Sequence, residues 1–364
     1  MHNIKVANNL RIIFILSILA LISGCSGNIQ KKFIPPVYPD APEQPRFIYE
    51  RTLISSVDVK SLTESDKFKI FATGMSKKVQ GLSKPFDVAV WHGRVYVTDT
   101  VKRAILMFDI PNSQFSIFGN KGAGMMAKPL GISISDKGDI FVVDGTAKRV
   151  VVFNKKGDFK RTFGDKKLFT RPSGIAVSGD GRKVYVVDTG GVSSSSHNLH
   201  IFDGVTGKHL KTIGIRGNGD GQFNLPLLAD SDKEGNIYVV DSGNFRIQKF
   251  DKAGKFVSKF GKVGKDYGSF GRPKGVAVDQ DGNVYVVDAS FGNFQIFNKE
   301  GQLLLFIGAR SSQNKPGKFA LPSGIDVDED GRIYVVDQYF RKVDVFRPYA
   351  LKEDEGFAGF EREK

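Results

Sequence analysis

The sequence predicts an all-β protein in which six copies of one four-stranded unit close into a ring. Two repeated motifs carry this prediction. The first is an apolar run that ends in aspartate, and it recurs six times at steps of 44–53 residues. The second is a proline followed by alternating apolar residues, and it precedes each copy of the first. Because no helical periodicity interrupts units of about 40–50 residues, the pattern is typical of a six-bladed β-propeller.

Each unit predicts its strands in a fixed order. The first strand follows the proline, and a glycine turn such as Asp281-Gly282 favours a tight hairpin into the second. The second strand is the run that ends in aspartate, and its apolar residues on both sides predict burial of both faces. A phenylalanine nine residues after the aspartate ends the third strand in five units. Phe-Gly or Ile-Gly ends the fourth strand in five units.

The sixth unit lacks its fourth strand, because a proline and a charged tail follow its third. Residues 46–54 alternate polar and apolar and resemble the missing strand. We expect this segment to pair with the sixth unit and close the ring, which removes open edges that invite aggregation. Residues 68–74 are the alternative donor. The predicted propeller covers residues 46–348, and residues 349–364 form a charged C-terminal tail.

The N-terminus predicts secretion and attachment to a membrane. Basic residues precede an apolar stretch at residues 12–22, which is too short to span a bilayer and is typical of a secretory signal. The stretch ends in Leu-Ile-Ser-Gly-Cys, which resembles a bacterial lipobox. Residues 1–24 are therefore expected to be a lipoprotein signal peptide, and Cys25 to carry a lipid whose two or three acyl chains anchor stably. Residues 25–45 contain five of the 14 prolines and predict a stiff linker.

Cysteine count and charge exclude several classes of function. One cysteine in 364 residues excludes an intrachain disulfide framework and a multi-cysteine metal site. Loss of residues 1–24, which hold two basic residues and no acidic one, lowers the formal charge from +14 to +12.

The serine after Cys25 resembles that of outer-membrane lipoproteins. The expected location is the cell envelope, lipid-anchored, at an outer membrane facing the periplasm or the cell surface.

The repeat is similar to the NHL repeat. Its pattern Gly-x-Phe-x-x-Pro-x-Gly-Val-Ala-Val-Asp is present nearly whole at residues 268–279. Asp87 and Leu228 stand where the pattern has glycine. The whole layout resembles bacterial NHL-repeat six-bladed β-propeller lipoproteins. This resemblance implies the fold, but one fold hosts many functions, so it does not fix the activity.

Basic residues gather in the loops before the blade-opening prolines, and these loops should crowd one face of the disc. The candidate residues of this partner-binding face are Lys84, Lys128, Arg171, Arg216, Lys265, Tyr267, Arg272 and Lys318. Basic loops with aromatic residues are typical of single-stranded nucleic acid binding, and animal NHL domains bind RNA on such a face. An extracytoplasmic location argues against nucleic acid. The expected partner is a protein or an anionic component of the envelope, which a positive face would steer.

The aspartate at the end of each second strand recurs in every unit, which indicates a structural role. We expect four of them to pair with a nearby arginine, whereas blade five has Asn293 at the arginine position. The predicted pairs are Asp99 with Arg103, Asp144 with Arg149, Asp241 with Arg246, and Asp337 with Arg341.

A metal-dependent enzyme is the alternative to a binding protein. Peptide-amidating lyases resemble this fold and hold zinc with histidines from several blades, but the five histidines here do not recur at one blade position. Lactonase-like propellers hold a metal with axial carboxylates, and Asp87 and Asp326 in first strands are the candidates for such a zinc or calcium site. No cofactor is otherwise predicted. We expect a membrane-anchored propeller that binds or scaffolds a partner and is not an enzyme.

Overall fold

The structure is a computed structural model that describes residues 33–60, 64–74 and 79–359. These residues form six four-stranded antiparallel sheets, arranged as blades around a central axis. The first strand of each blade contacts the first strand of the next, and blade six contacts blade one. The protein is therefore a six-bladed β-propeller, as the sequence predicts. The predicted signal peptide and Cys25 lie outside the described residues.

The bounds of the elements follow the predicted units. Ahead of the blades come β1 (Val37–Tyr38), β2 (Phe47–Leu53), a 3-10 turn (Ser56–Asp58) and α1 (Glu64–Thr73). Blade one is β3 (Pro85–Trp91), β4 (Arg94–Asp99), β5 (Ala104–Asp109) and β6 (Gln114–Phe118). Blade two is β7 (Pro129–Ile134), β8 (Ile140–Asp144), β9 (Arg149–Phe153) and β10 (Phe159–Phe163). Blade three is β11 (Pro172–Val177), β12 (Lys183–Asp188), β13 (Asn198–Asp203) and β14 (His209–Ile213).

The remaining blades repeat this order. Blade four is β15 (Pro226–Ser231), β16 (Ile237–Asp241), a 3-10 turn (Ser242–Asn244), β17 (Arg246–Phe250) and β18 (Phe256–Phe260). Blade five is β19 (Pro273–Val278), β20 (Val284–Asp288), β21 (Asn293–Phe297) and β22 (Leu303–Ile307). The loop before blade six holds β23 (Ala309–Arg310) and β24 (Lys318–Phe319). Blade six is β25 (Pro322–Val327), β26 (Ile333–Asp337) and β27 (Lys342–Pro348), completed by β2.

The core lies between neighbouring blades. All five residues of β20 are buried, in agreement with a strand that is apolar on both sides. Between blades four and five, the buried side chains of Tyr238 and Val240 pack with Phe270, Val284 and Phe297. Equivalent clusters recur around the ring, so the phenylalanines fill the wedges between blades. Burial of each such side chain stabilises the fold by about 1.5–3 kcal/mol.

An N-terminal strand closes the ring. β2 pairs antiparallel with β27, which confirms the predicted donor, whereas most of the alternative segment forms part of α1. Two buried polar contacts fix this pairing. Arg332 Nε lies 2.9 Å from Glu50 Oε2. Thr52 Oγ1 donates to Asp344 Oδ1 at 2.6 Å, and Lys342 Nζ lies 2.6 Å from Asp344 Oδ2.

Both ends of the predicted domain need correction. The expected linker is structured from Pro35, because β1 pairs with β2 and adds a fifth strand to blade six. The predicted tail is packed rather than free as far as residue 359. Ala358 is buried in the cluster between blades one and six, and its carbonyl accepts a hydrogen bond from Arg51 Nη2. Both segments therefore belong to the propeller.

The antiparallel strand order assigns every connection to one of two faces. We call the loop face the side that carries the connections from second to third strands and from each fourth strand to the next blade. The described residues of the loop face are 54–60, 64–74, 79–84, 100–103, 119–128, 145–148, 164–171, 189–197, 214–225, 242–245, 261–272, 289–292, 308–321 and 338–341. The opposite side, the hairpin face, carries the turns between first and second strands and between third and fourth strands. Among the described residues, no helix is long and apolar enough to cross a membrane.

Candidate functional site

The loop face presents the predicted basic residues to solvent. All eight candidates are exposed, and every one lies in a connection from a fourth strand to the next blade. The loops before blades four, five and six are held in similar closed forms by short parallel pairings, such as Ala309 with Lys318 and Arg216 with Phe223. These pairings fix the positions from which Arg216, Arg310 and Lys318 project. Together, the candidates form a basic rim around the disc.

Few negative charges offset this rim. In the part of the loop face whose side chains are described, the exposed acidic residues are Asp58, Asp165, Asp220 and Asp266. One of them is already paired, since Lys259 Nζ lies 2.5 Å from Asp220 Oδ1. The strand-end aspartates beneath the loops are fully buried. The surface charge of the loop face is therefore strongly positive.

The strand-end aspartates bind backbone amides more than arginines. Asp288 Oδ2 accepts hydrogen bonds from the Gly271 and Arg272 amides at 2.7 and 2.9 Å. Its Oδ1 accepts from the Ser290 and Phe291 amides at 2.8 and 3.1 Å. One carboxylate thus links the loop that precedes its blade in sequence to the turn that follows its own strand. The same arrangement recurs in blade one at Asp99 and in blade six at Asp337.

Two of the four predicted ion pairs are present, a close one in blade four and a longer one in blade two. Arg246 Nε lies 2.8 Å from Asp241 Oδ2, and both residues are buried. Arg149 Nε lies 3.9 Å from Asp144 Oδ2, and its guanidinium donates to the Met125 carbonyl instead. Among the described residues, Arg103 and Arg341 make no ion pair with Asp99 and Asp337. Both arginines are exposed in turns with φ of 53° and 56°, because backbone amides already occupy the carboxylates.

Blade three places a histidine beside its strand-end aspartate. His200 is buried, with Nε2 lying 3.7 Å from Asp188 Oδ2 and Nδ1 lying 2.9 Å from Thr212 Oγ1. Burial alone would raise the pKa of Asp188, but His200 and the amides of Thr170, Arg171 and Gly190 lower it. The histidine therefore belongs to the structural ring rather than to a solvated loop.

A cavity of about 800 Å³ follows the axis and opens on the hairpin face. The ends of the six first strands and their turns line it. Its lining holds ten aspartate or glutamate residues against three lysines and one histidine, so it is acidic although the chain is basic. Below the cavity the first strands nearly touch. A Cβ atom placed on Gly131 would lie 2.8 Å from Gly174 Cα, which explains the glycines of the repeat.

Three carboxyl groups lie in the cavity lining, on first strands. Asp87, Asp230 and Asp326 come from blades one, four and six. Each accepts a hydrogen bond from a backbone amide of the next blade: Asp87 from Ile132 at 3.1 Å, Asp230 from Val278 at 2.8 Å, and Asp326 from Val90 at 2.7 Å. These bonds join neighbouring blades at the axis.

Burial makes these three groups weak acids. It raises the pKa of Asp87 to about 7 and that of Asp230 to about 6. Burial also raises the pKa of Asp326 well above its usual value, and repulsion from Asp230 and Asp87 adds to the shift. The amide bonds act in the opposite direction but do not cancel burial. Near neutral pH the cavity can therefore store protons.

A zinc or calcium ion does not fit the described side chains. Among these residues, no group of three His, Cys, Asp or Glu side chains could hold a metal ion. Asp87 and Asp326 line the axial cavity as predicted, but each accepts a hydrogen bond from a backbone amide of the next blade. We therefore derive no reaction step through a metal.

The sequence prediction missed Asp230. It stands four residues after Pro226, at the same place in its strand as Asp326 after Pro322. Alignment of the six first strands at this position would have found it, because the other blades have alanine or serine there. The two aspartates also make the same hydrogen bond to the next blade.

The fold and the repeats define the class of protein: a six-bladed β-propeller with NHL repeats in blades four and five. The NHL repeat family matches residues 223–250 in blade four and 270–297 in blade five. Each match begins in the loop before its blade and ends with the blade's third strand. A curated relative is protein brain tumor of Drosophila melanogaster, 25% identical over 159 residues, or 42% of this chain. The chain matches only 14% of that protein's length.

Solved structures share the fold at low sequence identity. A Bacteroides thetaiotaomicron protein of unknown function has a TM-score of 0.57 and 16% identity, covering 73% of this chain and 70% of its own. A streptogramin B lyase has a TM-score of 0.54 and 14% identity, covering 73% and 94%. A gluconolactonase from Xanthomonas campestris has a TM-score of 0.54 and 15% identity, covering 73% and 86%. These similarities establish the fold alone.

Proposed function

We propose that this propeller is a lipid-anchored extracytoplasmic binding protein that holds an anionic partner against its loop face. The observation that carries the proposal is the concentration of exposed basic side chains on that face, with few exposed acids among them. The buried aspartates beneath the loops accept hydrogen bonds from backbone amides, as Asp288 does, and do not neutralise the surface. A positive surface of this kind steers anionic partners and speeds their association.

The proposed anchor is a lipid on Cys25. The sequence supports it, since the cysteine follows a short apolar stretch in a lipobox-like context. We also propose an outer membrane of a bacterial envelope as the location.

Charge reversal tests the partner-binding face. The variant Lys128→Glu/Arg171→Glu/Arg272→Glu changes three exposed side chains that make no ion pair among the described residues. We expect capture of the partner from solubilised membranes to fall at least about tenfold, and the remaining capture to depend less on salt. The matched control is Lys137→Glu/Lys156→Glu/Lys208→Glu, which makes the same charge change on the hairpin face. Equal losses in both variants would contradict a specific loop face.

Substitution of the cysteine tests the anchor. We expect Cys25→Ala to leave the protein unlipidated, so that it leaves the membrane fraction or stays unprocessed. Incorporation of labelled palmitate followed by electrophoresis measures the lipid directly. Normal labelling of the variant would place the lipid elsewhere and refute Cys25 as the anchor.

A lyase or lactonase-like enzyme is the second candidate, and the three axial carboxyls favour it. A group with a pKa near 7 can exchange protons at neutral pH, which general acid–base catalysis requires. Asp87 meets this requirement inside a cavity large enough for a small ligand. Assay of lactone and cyclic-ester opening by the purified protein and by Asp87→Asn tests this candidate. Turnover that disappears in the variant would favour the enzyme.

A further inference from the structure

Exposed apolar side chains concentrate on the loop face. They include Phe68, Phe71, Val101, Val192, Tyr267 and Tyr339, which are 63–88% exposed. On the hairpin face, the exposed large apolar residues among those described are Val205, Tyr349 and Phe357. We call these exposed side chains of the loop face the apolar tips. They lie on the same face of the disc as the basic residues. Exposed apolar surface beside such charge indicates a docking surface.

The first connection of the loop face carries the most exposed of these residues. α1 lies between β2 and blade one, within residues 54–84. Phe68 and Phe71 are three residues apart, so they share one side of the helix. They are 69% and 88% exposed, and Lys69 beside them is exposed as well. α1 contains Glu64 and Asp66 as well as Lys67 and Lys69, so its own charge is balanced, and its contribution to an interface between water and a lipid bilayer is the two exposed phenylalanines.

The distribution of the apolar tips favours a lipid surface over a protein. The tips come from blades one, three and six and from the connections that precede blades one and five, so they are spread around the disc. A protein interface buries a contiguous apolar centre with a polar rim. Separate apolar tips surrounded by lysine and arginine match an anionic bilayer, where each tip enters the headgroup region by itself and each basic residue adds about 1 kcal/mol.

We propose that the loop face lies on an anionic phospholipid bilayer, with Phe71 and Tyr267 in the headgroup region and the acidic cavity facing away from the membrane. This inference rests on the proposed function and names the anionic partner of the same face. A lipid on Cys25 would be a second attachment of the same chain to that membrane. Two attachments of this kind bind more firmly than either does alone.

The single cysteine allows a direct test. In the full chain with Cys25→Ser, one new cysteine is introduced at a time as Phe71→Cys, Tyr267→Cys or Val205→Cys, and it is labelled with a polarity-sensitive fluorophore. All three positions are at least 64% exposed, so labelling leaves the core intact. Vesicles of phosphatidylglycerol and phosphatidylcholine are compared with vesicles of phosphatidylcholine alone. We expect a blue shift and protection from an aqueous quencher at Phe71→Cys and Tyr267→Cys with the anionic vesicles, and neither change at Val205→Cys.

The charge-reversal variant of the proposed function, Lys128→Glu/Arg171→Glu/Arg272→Glu, should weaken the response of the labels at least about tenfold in lipid concentration. Equal responses on both faces, or none with either vesicle, would overturn the lipid inference. If the labels stay silent while charge reversal still abolishes partner capture, the proposed function stands and its partner is a protein. If charge reversal changes neither measurement, both proposals fail.

Discussion

The strand-end aspartates beneath the loop face and the axial aspartates of the cavity are all buried acids, but they have different surroundings. Asp288 accepts hydrogen bonds from four backbone amides, which compensate for lost water. Asp87, in contrast, accepts one from the next blade, at Ile132, and burial raises its pKa to about 7. The difference lies in the number of donors rather than in depth.

Within the strand-end ring, the kind of donor matters as well as the number. Asp188 lies beside His200 and accepts three backbone amide bonds, and together these lower its pKa against the effect of burial. Asp241 accepts one, from Asn224, and burial raises its pKa although Arg246 and two side-chain amides also contact it. Repetition in sequence marks the acids that hold the scaffold, whereas the acids that occur in only some blades remain chemically available.

The largest expected effect comes from a buried acid whose donor is an arginine. Arg332→Met leaves Glu50 without the guanidinium at 2.9 Å, inside the pairing that closes the ring. We expect the free energy of unfolding to fall by about 3–4 kcal/mol, because a buried carboxylate loses its nearest cation and Arg51 Nη2, 3.8 Å from Glu50 Oε1, compensates only in part. Chemical denaturation monitored by circular dichroism measures it.

A double variant separates the charge from the packing. Glu50→Leu/Arg332→Met removes both charges, and we expect it to recover at least half of the loss. If the double variant were as unstable as the single one, the ion pair would not be what secures closure. The comparison of buried acids would then rest on amide donors alone.

A smaller effect is expected at the strand-end ring. Asp288→Ala leaves the amides of Gly271, Arg272, Ser290 and Phe291 without their acceptor. We expect a loss of about 3 kcal/mol, since buried unsatisfied donors cost about 1–3 kcal/mol each and water reaches some of them. Asp281→Ala, at an exposed site in the same blade, is the control and should change stability by less than about 0.5 kcal/mol. Similar losses at both positions would contradict a specific stabilising role for the strand-end aspartates.

The fold was predictable because it is repeated. Six copies of the strand pattern locate the blades, and the missing fourth strand of the sixth copy points to β2 as its replacement. The structured linker was not predictable. Proline-rich composition predicts an extended chain, but only the position of β2 at the outer edge shows that Val37 and Tyr38 can pair there.

The site was predictable in part. Basic loops follow from sequence order once the strand directions are known, so the exposed candidates could be placed on one face. The pairs of Asp99 with Arg103 and of Asp337 with Arg341 were wrong, because proximity in sequence does not reveal that loop amides reach the carboxylates first. Asp230 needed the strands to be aligned position by position.

The smallest expected effect is a pH dependence that separates the axial acids from the ring. The pKa of Asp87 is about 7 in the folded protein and has its usual lower value when unfolded, so the folded state binds more protons between about pH 4 and 7. The contribution of Asp87 to stability is therefore present at low pH and is lost as the pH rises to 7. Asp87→Asn keeps an acceptor for the Ile132 amide but cannot ionise.

We expect the change in unfolding free energy caused by Asp87→Asn to be more favourable at pH 8 than at pH 5 by about 2 kcal/mol. Denaturation of both proteins at the two pH values measures the difference. Asp288→Asn is the matched control, because it makes the same substitution at a buried strand-end carboxylate that accepts hydrogen bonds from four amides. A pH-independent effect of Asp87→Asn would show that folding does not raise the pKa of Asp87. The two groups of aspartates would then differ in hydrogen-bond geometry but not in the pKa of their carboxyl groups.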